Sequence, residues 1–150
     1  MDAVAHVPEE FRLWSKSFLD HDVDFLLVGG YAVGLHGYPR TTNDTGFWVD
    51  AEVPNAGRVM SAAESLGHPL PPDAIMRLST HKSVYRLGDP PFRVDLMTSC
   101  DGCEWATAWA RRVIIDIDGL PVPVIYLEAL KAAKRAAGRH KDLDDLENLP

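Results

Sequence analysis

The chain has 150 residues, of which 46% are hydrophobic and 25% charged, and its net charge at pH 7 is −7. This length is typical of one domain with its own core, so we predict a single domain over residues 1–150 that needs neither disulfides nor a metal to fold. The negative charge disfavours binding to bulk DNA. Because no apolar run reaches the roughly 20 residues that span a bilayer, and the first residues lack the pattern of a signal peptide, we expect a cytoplasmic protein without membrane contact.

In chain order, apolar spacing and breaker residues predict alternating helices and strands in the first half of the chain. The predicted elements are a helix after Pro8 that ends before His21, a strand at 23–28, a short helix through Leu35, a strand at 44–49, a helix at about 55–66 and a loop at 68–73.

The second half reads as two hairpins followed by helices. The predicted elements are strands at 83–87 and 92–97 around Gly88-Asp89-Pro90-Pro91, a short helix at 104–110, strands at 112–117 and 120–124 around Asp118-Gly119, and helices at 127–137 and 141–149. This order predicts an α/β or α+β fold, with one mixed sheet and helices packed over it.

The apolar strand at 23–28 runs directly into Gly29-Gly30. Paired glycines let the backbone approach a ligand closely, and the start of a helix offers unpaired N–H groups to an anion. Such a corner suits phosphate. The alternative is a tight turn that needs glycine only for its backbone dihedral angles.

Asp44 and Asp95 each lie within an apolar strand. A carboxylate in such a position is costly unless it is paired, hydrogen-bonded or bound to a metal, and two of them indicate a shared site. Strand alternation puts Gly46 and Trp48 on the same face as Asp44. The alternative is that each Asp is a carboxylate whose hydrogen bonds serve the structure alone.

Cys100 and Cys103 form a Cys-Asp-Gly-Cys unit. Zinc ligands would need a second pair, and a redox motif would need a thioredoxin-like βαβ context that the chain does not display. Ordinary reduced thiols need neither, and this third interpretation is favoured for a cytosolic protein.

Five segments together carry a family resemblance. They are Leu27-Val28-Gly29-Gly30-Tyr31-Ala32, His36-Gly37-Tyr38-Pro39-Arg40, Thr42-Asn43-Asp44, Arg93-Val94-Asp95-Leu96 and the tail from Lys134 to Asp142. With these motifs the chain resembles the minimal nucleotidyltransferases of the DNA polymerase β superfamily, in particular the small bacterial MNT-like and AbiEii-like proteins. The resemblance implies a palm-like mixed β-sheet flanked by helices.

The resemblance also implies a site that holds an NTP with Mg²⁺. The residues that it assigns to nucleotide binding are Gly29, Gly30, Arg40, Thr42 and Lys134. It makes Asp44 and Asp95 the first and third catalytic carboxylates and the metal ligands, because phosphoryl transfer depends on positioning and charge neutralisation. For Arg40 and Lys134 the alternative is solvated surface charge.

Gly46 stands where the resemblance places the second carboxylate of an Asp-x-Asp pair. Loss of that metal ligand should cost several kcal/mol of transition-state stabilisation, or roughly a thousandfold in rate, while nucleotide binding could survive. Asp50 and Glu52 are roughly 13–20 Å further along the strand and do not replace it. Three explanations remain open: a naturally inactive member, an introduced substitution, or a remodelled site.

Three functions follow from the resemblance. The first is transfer of NMP from an NTP to a hydroxyl of a protein, an RNA or a small molecule, impaired by Gly46. The second is a non-catalytic module that binds a protein partner, as an antitoxin binds its cognate toxin. The third is an antibiotic nucleotidyltransferase. The sequence does not distinguish the acceptor, the preferred base or the oligomeric state.

Overall fold

The computed structural model describes residues 8–40, 42, 44–88 and 93–150; the side chain of Asp44 is outside this description. Within that part the chain is a mixed α+β fold, in which one six-stranded sheet is flanked by helices. The predicted fold class is therefore confirmed. Among the described residues, no helix is both long and apolar enough to cross a membrane.

Six strands build the sheet. They are β1 (Phe25–Val28), β2 (Asp44–Val49), β3 (Val84–Leu87), β4 (Arg93–Met97), β5 (Val113–Ile117) and β6 (Leu120–Val124). The strand order is β3-β4-β2-β1-β6-β5. Parallel pairing joins β2 to β4 and β1 to β6, whereas the other three neighbouring pairs are antiparallel. The sheet is therefore mixed, as predicted.

Seven helices cover the sheet in the described part of the chain. They are α1 (Glu9–Asp20), α2 (Gly29–Leu35), α3 (Val53–Ser65), α4 (Ala74–Leu78), α5 (Trp105–Ala110), α6 (Leu127–Ala137) and α7 (His140–Asn148). Local chemistry explains several of their ends. Pro54 lies in the first turn of α3, where its missing N–H costs nothing. Gly138 ends α6 in the left-handed conformation, with φ of 63°.

Alternate residues of β2 pack on opposite faces of the sheet. Phe47 contacts the rings of Phe11 and Phe18 in α1, with centroid distances of 6.2 and 5.1 Å. Trp48 instead contacts Trp105 of α5, at 5.2 Å. Both β2 side chains are buried. The predicted alternation is therefore confirmed, and Gly46 belongs to the face that Trp48 occupies.

The predicted boundaries differ from the observed ones mainly by one or two residues, and one of these differences has a clear cause. The first strand begins at Phe25, not Val23, because the backbone N–H of Asp24 donates to the buried Asn55 side chain at 2.8 Å. The short helix α4 was not predicted; it follows the predicted loop directly. The predicted turn at Asp89-Pro90-Pro91 lies outside the described residues.

Candidate functional site

Two adjoining cavities open between the sheet and the last two helices. The smaller, which we call the basic cleft, has a volume of about 240 Å³. Its lining residues are Gly29, Gly30, Arg40, Thr42, Gly46, Val84, Arg86, Arg93, Asp95, Met97, Lys134, Arg139 and Lys141. The larger, which we call the apolar cavity, has a volume of about 500 Å³ and shares Gly29, Val84, Met97, Lys134 and Arg139 with the cleft.

The basic cleft brings together most of the residues predicted from the sequence. Of the predicted site residues, only Asp44 is not among its described lining. The backbone of Asp44 begins β2 opposite Arg93 of β4, but its side chain is outside the described part.

The register of β2 and β4 places Gly46 directly opposite Asp95. Because paired residues of adjacent strands project to the same face, a side chain at position 46 would neighbour the Asp95 carboxylate. A Cβ added at Gly46 would lie 3.3 Å from Val28 Cγ2 and 3.5 Å from Met97 Cε. A small shift of Val28 would accommodate it, and no positive φ requires glycine there. Neither the backbone conformation nor backbone crowding explains Gly46.

Gly29 and Gly30 have separate reasons to be glycine. Gly29 has φ of 76°, in the left-handed region that side chains disfavour. Gly30 faces Thr42, whose Cβ would be only 2.7 Å from a Cβ added at position 30. The corner therefore has a structural role as well as a position in the cleft, and phosphate binding there stays a prediction.

Asp95 is surrounded by positive charge. Its Oδ1 lies 3.3 Å from Nε of Arg93 and 3.6 Å from Nε of Arg86, and its side chain is 13% exposed. Sequence reasoning assigned no role to Arg86. The structure places it there, since antiparallel pairing of β3 with β4 puts Arg86 opposite Asp95, a register shifted from the one that the predicted strand ends imply.

Lys134 and Arg40 are held in a cluster of buried ions. We define the buried charge cluster as Arg40, Lys134, Asp142 and Asp145. Arg40 makes two bonds to Asp145, at 2.7 and 2.8 Å, and Lys134 Nζ lies 3.0 Å from Asp145 and 3.3 Å from Asp142. Lys134 is 7% exposed. The alternative of a solvated surface lysine is therefore wrong for Lys134.

The cations that contact Asp142 and Asp145 keep both carboxylates in their charged form. Burial by itself raises the pKa of Asp145, but hydrogen bonds from Arg40 and Lys134 outweigh it, and the pKa lies below its ordinary value. For Asp142 burial is again the largest influence. Hydrogen bonds from the Arg139 side chain and backbone N–H outweigh it and lower the pKa. Much of the charge of Arg40 and Lys134 is therefore neutralised inside the protein.

The described lining of the cleft nevertheless has more positively than negatively charged side chains. Its lining includes six cationic side chains, and the described carboxylates that contact them are the three of Asp95, Asp142 and Asp145. Arg86, Arg139 and Lys141 are exposed. The described lining thus holds more cationic than acidic side chains, in a chain whose net charge is −7. The arrangement can hold an anion with several charges.

The described residues supply one of the two predicted Mg²⁺ ligands, Asp95, and the side chain of the other, Asp44, is outside the description. Mg²⁺ prefers carboxylate and water oxygens, and Asp95 is the one described carboxylate on the strand face where the resemblance places the ions. Its oxygen already faces two guanidinium groups. Among the described residues, no group of three His, Cys, Asp or Glu side chains is placed to hold a metal.

No protein-family model matches the chain, and no curated protein matches it either. The resemblance to minimal nucleotidyltransferases therefore depends on the motifs of this chain alone.

Proposed function

We propose that this protein binds the phosphate groups of a nucleoside triphosphate in the basic cleft, and that Gly46 keeps its transfer of NMP to a hydroxyl acceptor weak. The observation that supports binding is the local excess of positive charge next to the Gly29-Gly30 corner. Guanidinium and ammonium groups are the side chains that recognise phosphate oxygens, and backbone at glycine allows close approach.

The neighbouring apolar cavity supports a nucleotide over a simple phosphate ion. Its volume of about 500 Å³ lies in the range of small-molecule sites. Its apolar wall includes Val28, Ile125 and Leu130, while Lys134 and Arg139 belong to both cavities. A nucleoside in the apolar cavity would therefore carry its phosphates towards the basic cleft.

Weak transfer is proposed because the carboxylate set is incomplete. Asp95 has glycine as its β2 neighbour, and two arginines contact its carboxylate. The cations can stabilise phosphate charge, but they cannot replace the ligand that would activate an attacking hydroxyl. Binding and transfer are therefore expected to separate in this protein.

Calorimetric titration with ATP tests the binding step. We expect saturable binding by the wild type, with Mg²⁺ or with a chelator, because side chains supply the positive charge. The double variant Arg86→Ala/Lys141→Ala should bind ATP more weakly by about tenfold or more. A charge-assisted contact is worth about 1.5–3 kcal/mol, so the loss of even one contact lowers the affinity by about this factor.

Arg135→Ala is the matched control for this titration, because Arg135 is exposed on α6 and does not line the cleft. Its ATP affinity should equal that of the wild type. Absence of saturable binding in the wild type, or an equal loss in the control, would refute the proposed phosphate site.

Transfer is tested separately with labelled ATP and candidate protein, RNA and small-molecule acceptors. Binding without detectable transfer by the wild type is the expected result. Rapid wild-type transfer would contradict the proposed effect of Gly46 while leaving the binding site intact. The partner-binding and antibiotic-modifying functions stay predictions, to be tested by host pull-down and by growth protection against aminoglycosides or lincosamides.

A further inference from the structure

Cys100 and Cys103 are free thiols at the two ends of one tight turn. The backbone N–H of Cys103 donates to the carbonyl of Cys100 at 3.0 Å. A four-residue turn closed in this way keeps its first and last Cα atoms within about 7 Å. A disulfide bridges Cα atoms about 4.4–6.8 Å apart, so the spacing of this turn is compatible with a disulfide.

Helix α6 holds this turn in place. Gly102 has φ of 79°, and a Cβ added there would lie 2.9 Å from the carbonyl oxygen of Ala132. The Cys103 thiol donates to the carbonyl of Ala129 at 3.2 Å. Because the backbone of the turn packs so closely on the helix, the two thiols stay near each other without a disulfide.

Cys100 and Cys103 line different cavities. Cys103 lines a cavity of about 350 Å³ beside Glu104, Thr107 and Tyr126. Cys100 lines the apolar cavity on the other side of the turn. Both residues are partly exposed. A small reagent can therefore reach the pair, and Cys100 is within the wall of a cavity that is itself a candidate binding site.

The thiols differ in acidity. A hydrogen bond from the Cys100 thiol lowers the pKa of Cys103, against the opposing influence of burial, and the backbone N–H of Ala133 adds to the lowering. The same hydrogen bond, followed by burial, raises the pKa of Cys100. Since the thiolate is the nucleophile in thiol–disulfide exchange, Cys103 is the sulfur expected to react first.

We propose that the Cys100–Cys103 turn is a site of reversible thiol–disulfide exchange with low-molecular-weight disulfides. The Cys103 thiol gives its proton to the solvent, and its sulfur attacks one sulfur of the reagent, forms a mixed disulfide and expels one thiolate. The Cys100 thiol then gives its proton to the solvent, and its sulfur attacks Cys103 Sγ and expels the second thiolate. Two protein thiols are oxidised to one disulfide, and one reagent disulfide is reduced to two thiols.

The proposal is tested by incubating the reduced full-length protein with oxidised glutathione and measuring intact mass over time. The wild type should lose two hydrogen atoms without retaining the reagent, and peptide mapping should locate the bond between Cys100 and Cys103. A dithiol reductant should restore the starting mass. A wild type that stays reduced, or forms only intermolecular disulfides, would overturn the proposal.

Single-serine variants separate the roles of the two sulfurs. Cys100→Ser should accumulate the mixed disulfide on Cys103, because the second thiol is missing. Cys103→Ser should react about tenfold or more slowly, as expected when the remaining thiol is the less ionised one. Equal rates for the two variants would refute the assigned order. These readouts measure thiol chemistry alone, so they do not depend on whether the cavities bind a nucleotide.

Discussion

At Gly46 a Cβ would fit after a small shift of Val28. The residue pairs with Asp95 across β2 and β4, and its backbone does not need glycine. A glycine inside a strand is also less stable than alanine by about 0.5–1 kcal/mol. We therefore expect position 46 to affect the chemistry of the cleft more than the stability of the fold, because a carboxylate there would be a second one facing the arginines.

Gly46→Asp should increase the dependence of ATP affinity on Mg²⁺. The new carboxylate would neighbour Asp95, and two adjacent carboxylates bind a divalent ion more strongly than a single carboxylate does. Calorimetric titration with and without Mg²⁺ measures the change, and labelled ATP measures any transfer that accompanies it.

Gly46→Asn is the matched control for this substitution, because it has nearly the same shape and no charge. We expect Mg²⁺ to leave its ATP affinity close to that of the wild type. The same behaviour in Gly46→Asp would show that position 46 does not complete a metal site.

At the scale of elements, the sequence predicts what local patterns encode. Helix stripes, breaker residues and the Asp118-Gly119 turn gave nearly every helix and strand, and both turn residues have positive φ as a two-residue hairpin requires. The parallel pairing of β1 with β6 joins segments far apart in the chain. Local periodicity carries no signal for such a pairing, so the sequence predicted a mixed sheet but not its strand order.

For the candidate site, too, local motifs predicted which residues lie together but not the contacts between them. The motifs identified Gly29, Asp95 and Lys134 as members of one site, and the described cleft contains all three. The contacts within the cleft depend on strand register and helix packing. The pairing of Lys134 with Asp145, eleven residues later, becomes visible only when α7 folds back onto α6.

Asn55 shows how one side chain links several elements. It is 1% exposed at the start of α3, accepts from the N–H of Asp24 at 2.8 Å, and donates to the carbonyls of Asp24 and Asp50 at 3.1 and 2.9 Å. These contacts join the start of β1 to the segment after β2. Their loss would leave the N–H of Asp24 and the carbonyl of Asp50 without this partner, whereas the Asp24 carbonyl would still accept from the N–H of Asp50 at 3.1 Å.

Asn55→Ala should therefore lower the free energy of unfolding by about 2–4 kcal/mol, since each lost hydrogen bond contributes about 1 kcal/mol and unsatisfied buried groups cost more. Urea denaturation measures this change. Asn148→Ala removes an exposed asparagine from α7 as a control and should stay within about 0.5 kcal/mol of the wild type. Equal effects of the two substitutions would contradict the linking role of Asn55.

At the scale of the whole molecule, opposite charges are separated between the surface and the cleft. The chain carries a net charge of −7, yet the described cleft has an excess of positive side chains. The buried charge cluster connects this cleft to the fold, because Arg40 follows α2, Lys134 is on α6, and Asp145 is on α7. The same cations thus join three parts of the chain and border the candidate phosphate site.

This cluster makes a pH-dependent contribution to stability. The folded pKa of Asp145 is below its ordinary value of 3.8, so its contribution is complete at pH values above 3.8 and is lost as pH falls through the folded pKa. Asp145→Asn should lower the free energy of unfolding at pH 7 by about 3 kcal/mol, because half-buried Arg40 loses its carboxylate and buried Lys134 keeps only Asp142. Urea denaturation from pH 7 to about pH 2 should show this difference shrinking as the pH falls below 3.8, because the unfolded chain then binds a proton at Asp145 that the folded carboxylate resists. Asp144→Asn is the control at an exposed neighbouring position, and it should change the stability little at any pH. A stability difference for Asp145→Asn that stays constant across this pH range would contradict the assigned ion pairs.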